Sequence, residues 1–85
     1  MGKTDDALNE RMGLWQQVAE QEQKLSSDFK RLVDLQRDII AALLAGESRS
    51  SVTITNTLKE VTEVRNSMTV TRSQIENART ELSAL

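Results

Sequence analysis

Eighty-five residues with no Cys, His, Tyr or Pro and a net charge of −2 leave room for one small domain, without disulfide or structural metal to brace its modest core. A pI near 5.1 and the lack of a basic block exclude the electrostatic drive to nucleic acid. The longest apolar run, Ile39 to Ala45, is far shorter than the roughly 20 residues that cross a bilayer, so no membrane partner is expected either.

The chain opens Met1-Gly2-Lys3-Thr4-Asp5-Asp6, which has no apolar leader, and the expected location is cytoplasmic. Thr4 with two acids behind it reads as an N-cap, since the hydroxyl satisfies an orphan amide and the carboxylates complement the helix dipole. Helix 1 is expected over about residues 4–45. Its apolar residues recur at helical spacing from Leu8 and Met12 through Val18, Leu25 and Phe29 to Leu44.

Within helix 1 three features stand out. Trp15, the only Trp, suits a binding anchor, although ordinary packing accounts for it as well. Gln21, Glu22 and Asp28 interrupt the stripe and read either as a polar layer of a multi-helix assembly or as a solvated face. From Leu32 onward the apolar surface broadens: Leu32, Val33, Leu35, Ile39, Ile40, Leu43 and Leu44 cover more of the helix than one partner helix can bury. That surplus predicts a partner face.

Gly46 follows as a C-cap, and residues 46–50 form the expected turn. Helix 2 is expected over about 51–85. Val52-Thr53-Ile54-Thr55 alternates like a strand, and Thr57-Leu58-Lys59-Glu60 has the form of a later capping box. Ser50 or Ser51 as cap is preferred, because Ile54 already belongs to a seven-residue repeat. One row of that repeat is Ile54, Val61, Met68, Ile75 and Leu82; the other is Thr57, Val64, Thr71, Ala78 and Leu85. Seven Thr residues in this segment cost helix propensity, at a few tenths of a kcal/mol each, so packing must hold it.

Two helices joined by so short a loop lie antiparallel, and a turn centred near residue 48 or 49 pairs positions whose numbers sum to about 97. This register sets Leu43 near Ile54, Phe29 near Met68, Trp15 near Leu82 and Met12 near Leu85. It also sets Glu22 between Arg72 and Arg79, and Asp28 between Arg65 and Arg72. Ion pairs that fix the register are expected there, against the plainer reading of a solvated Arg face.

Without His, Cys or Tyr, acid-base or nucleophilic chemistry would rest on carboxylates, Lys, Ser or Thr alone. Glu20 with Glu22 and Glu60 with Glu63 lack the His of a di-iron bundle, and Gly2-Lys3-Thr4 lacks the rest of a phosphate loop. No enzyme, cofactor or metal is expected. The fold predicted is an all-α, antiparallel two-helix hairpin of coiled-coil type, completed to a four-helix bundle by dimerisation or by a partner. The function predicted is a protein-protein assembly module, with a homo-oligomer as the expected state. In length, absence of Cys and Ser/Thr-rich helices the chain is similar to small helical co-chaperones of type III secretion. That likeness implies an alternative, an export chaperone or assembly factor that shields a partner helix.

Overall fold

A computed structural model describes residues 3–85, with side chains from Asp5 onward. Two helices, α1 (Lys3–Leu44) and α2 (Val52–Ala84), lie antiparallel in a rod of 67 × 15 × 14 Å. The fold is an all-α helical hairpin, and no strand forms among the described residues. Val52 to Thr55 is the first turn of α2, since a lone alternating segment has no second strand to pair with. The α1 backbone is helical one residue before the expected start, and the Thr4 side chain, expected as its cap, lies outside the described residues, as do Met1 and Gly2.

The turn is closed by two satisfied caps. Gly46 has φ of 91°, its amide donates to the Leu43 carbonyl, and the Glu47 amide reaches back to that of Ala42, a Schellman arrangement that only Gly adopts without strain. Ser51 is the cap of α2: its Oγ accepts from the Ile54 amide at 3.2 Å, while its own amide donates to the Ser48 carbonyl. The competing box at Thr57 is unused, and the Thr57 hydroxyl donates instead to the Thr53 carbonyl inside the helix.

Both helices carry the seven-residue repeat. In α1 the buried and half-buried positions are Ala7, Leu14, Gln21, Asp28, Leu35 and Ala42, interleaved with Val18, Leu25, Leu32 and Ile39, with Val33 half-buried beside this line. These positions meet the buried row of α2 where residue numbers sum to 96 rather than 97, and the Arg11 guanidinium, which donates to the Leu85 carbonyl at 2.7 Å, joins one such pair. The unit matters, because each residue turns the helix by about 100°. Ala42, not Leu43, then faces Ile54, and Leu14, not Trp15, faces Leu82. Leu14, Val18, Ile75 and Ala78 are buried in one cluster, with Leu25 and Leu82 against it.

At this register large meets small. Val18, Leu25 and Ile39 oppose Ala78, Thr71 and Thr57, while Ile54 opposes Ala42. The Thr and Ala of the second α2 row therefore make room for bulk on α1 and keep the helices close. Thr71 is 0% exposed, and its hydroxyl is satisfied by the Ser67 carbonyl at 2.9 Å, so a methyl group is what it turns to the seam.

The two described glycines, one inside α1 and one at its C-cap, should respond oppositely to alanine. Gly13 is helical with nothing within 4 Å of an added Cβ, so Gly13→Ala should stabilise the hairpin by about 0.5–1 kcal/mol. Gly46→Ala, at positive φ, should cost on the order of 1–2 kcal/mol. Urea titration followed by circular dichroism reads both; a shift of the same sign in the two variants would contradict the cap geometry.

Candidate helix-docking surface

A two-helix hairpin has a single interior line, so every side chain off that line is open to water. The residues immediately before each seam position, on both helices, are almost all polar: Glu10, Gln17, Lys24, Arg31 and Asp38 on α1, and Thr53, Glu60, Ser67, Gln74 and Glu81 on α2. Across this back, Arg31 meets Glu60 at 2.7 Å. Both are exposed, a setting in which an ion pair is worth about 0–1 kcal/mol.

The front differs. The residues that follow the α1 seam positions are Leu8, Met12, Trp15, Ala19, Glu22, Ser26, Phe29, Val33, Gln36, Ile40 and Leu43, again spaced four and three apart. They form a second heptad stripe, about 100° round the helix from the first. Trp15 is 59% exposed and Phe29 57%, where a side chain of that size is expected to find cover. The facing edge of α2 carries Leu58, Arg65, Arg72 and Arg79. Three grooves follow one another along this side, the first between Trp15 and Arg79, the next between Glu22 and Arg72, the last between Phe29 and Arg65.

Several expected roles change on this geometry. Of the apolar partner face, Leu35 is 4% exposed and belongs to the hairpin seam, with Leu32 and Ile39 half-buried beside it. Leu44, 84% exposed, points away at the helix end. Val33, Ile40 and Leu43 remain on the open stripe, which continues far toward the N-terminus through Phe29 and Trp15. Of the α2 row, Ile54, Val61, Met68 and Ile75 are buried, and Val64 and Leu82 are half-buried.

Among the charges, Arg79 donates to Glu22 at 3.1 Å across the front edge. Asp28 is not held by arginine. It is turned toward the back, where it accepts from the Ser67 hydroxyl at 2.9 Å, and Arg65 and Arg72 make no hydrogen bond or ion pair among the described residues. The reason is rotational: Asp28 sits in the seam opposite Met68, so Ser67 is within reach while the Arg side chains leave from the far edge. Gln21 also lies in the seam, near Ile75, and its Oε1 is buried without a partner. The carboxylates of Glu20, Glu22, Glu60 and Glu63 are exposed.

The α1 repeat was available in the sequence and is masked by its own polar members. Arg11, Gln21 and Asp28 occupy seam positions, while Trp15, Phe29 and Leu43 stand one step off and draw the eye to the wrong line. No family model matches the chain, and no curated protein or solved structure is detectably similar to it. Among the described residues no helix is long and apolar enough to cross a membrane.

Gln21→Leu should raise the stability of the hairpin by about 1–3 kcal/mol, because it replaces a buried unpaired carbonyl by a group that fits the seam. A thermal melt that fails to move upward would mean that the Gln21 amide is satisfied.

Proposed function

We propose that this chain is a non-enzymatic assembly module that acts by coiled-coil packing, its hairpin forming a platform that takes a further helix on its front. The second heptad stripe of α1 carries this reading. Such a stripe costs solubility and contributes little to the hairpin, since Leu8, Met12, Trp15, Phe29 and Ile40 all stay more than half exposed beside α2. Its seven-residue period matches a helix in shape, not a small molecule, and the angle of about 100° between the two stripes is close to the right angle that separates the two neighbours of each helix in a four-helix bundle.

A chaperone that shields a partner helix is the second reading, and it would use the same stripe. The Schellman turn, the Ser51 cap and the continuous seam favour a surface that is formed before its partner arrives, as a structural module requires.

Trp15, alone of its kind and on the stripe, reports occupancy directly. Acrylamide quenching should fall to that of a buried indole, either as the pure protein is concentrated or on titration with a synthetic heptad helix carrying Leu at both seam positions. A Trp15 that stays fully quenchable in both experiments would overturn the docking reading.

A further inference from the structure

Resting on that reading, we infer that the occupant of the front is a second copy of this chain, lying antiparallel on the α1 stripe about a two-fold axis near residue 24. The stripe carries the argument in its own pattern. Its two polar members near the middle, Glu22 and Ser26, sit four residues apart, and a copy laid antiparallel with facing numbers summing to 48 sets each Glu22 against the other's Ser26. The same placement brings Leu8 to Ile40, Trp15 to Val33 and Phe29 to Ala19, and leaves Met12 on Gln36 as the one apolar-polar pair within the stripe. Sliding one heptad, to a sum of 55, sets Glu22 on Val33 and Ser26 on Phe29, polar on apolar throughout the centre.

The Glu22 carboxylate selects the same arrangement. In a parallel pair Glu22 would face Glu22, whereas the rows Arg65, Arg72 and Arg79 run alongside each other in either sense. The antiparallel axis falls level with Arg72 on α2, inside the groove shared by Glu22, Arg72, Glu76 and Arg79, two acids and two bases on each copy. Arg72, without an ion pair among the described residues, then faces the other copy's Arg72 and comes within a turn of its Glu76. Area suffices as well: the stripe spans roughly 50 Å of a helix about 10–12 Å across, on the order of 500 Å² on each copy, which reaches the roughly 1,000 Å² total of a specific interface.

The absence of cysteine makes the test direct. Leu8→Cys and Ile40→Cys change exposed positions, so both variants should keep the helical spectrum of the parent. Sedimentation equilibrium of the parent should give twice the 9.5 kDa chain mass, and Phe29→Glu should return it to one. Under mild oxidation neither Cys variant should cross-link to itself, because like positions lie roughly 50 Å apart, whereas a mixture of the two should give the mixed disulfide. Self-cross-linking of each variant would overturn the antiparallel placement. A chain that stays at 9.5 kDa throughout would overturn the second copy as occupant. If Trp15 of that monomer is nevertheless shielded by the synthetic helix, the docking surface stands and its occupant is another protein; if it is not, both fall.

Discussion

The register between α1 and α2 is the constraint from which the rest follows. A slip of one residue would rotate each helix by about 100° against its neighbour, moving Ala42 out of the seam and Leu43 in, and turning Trp15 and Phe29 from the front onto α2. What prevents it is geometric. Gly46 at φ of 91° and Ser51 at the start of α2 each satisfy helix-end groups at fixed positions, so the loop between them has one workable length. Buried apolar side chains, worth about 1.5–3 kcal/mol each, supply the stability, while the exposed ion pairs at about 0–1 kcal/mol each can only bias it.

The Thr-rich character of α2 fits the same constraint. Five of its Thr hydroxyls donate to the carbonyl four residues back, at Thr57, Thr62, Thr69, Thr71 and Thr80. This removes each hydroxyl from competition with partners across the seam, and it leaves a compact branched side chain that lets α1 approach. The low propensity of the helix is therefore offset by packing at Thr57 and Thr71, and is merely tolerated at Thr62, Thr69 and Thr80, where the side chains are exposed. Asp28 is treated likewise, its carboxylate drawn out of the seam by the Ser67 hydroxyl. Gln21 has no such partner and is the seam's weak point.

Two helices, their antiparallel sense, the turn at Gly46 and the α2 seam were legible in the sequence, because apolar periodicity and the punctuation of Gly and Ser report them locally. The α1 seam was not, and the reason is energetic. A seam position tolerates Arg11 or Asp28 when the facing residue is large enough to cover the stem and a partner takes the polar tip, as Leu85 does for Arg11 and Ser67 for Asp28, while Gln21 is held at a cost. Neither condition can be read from α1 alone. The error of one residue in register, small along the axis, was enough to assign Leu35 to a partner face and to leave Trp15 and Phe29 in the hairpin.

That error also hid the division of labour between the two helices. Along α2 the seam holds most of the large apolar residues, and its front edge, Leu58 apart, is polar and charged, so α2 has little to offer beyond α1. Helix α1 admits small and polar residues among the Leu, Val and Ile of its seam, at Ala7, Gln21, Asp28 and Ala42, and sets Trp15, Phe29, Ile40 and Leu43 outside it. A chain selected only to fold as a hairpin would gain stability from apolar side chains at Gln21 and Asp28, while Ala42 has to stay small opposite Ile54. The arrangement is explained if the free energy of the outer stripe is realised on contact with a further helix, and α2 is then the strut that holds α1 straight while its other face is engaged.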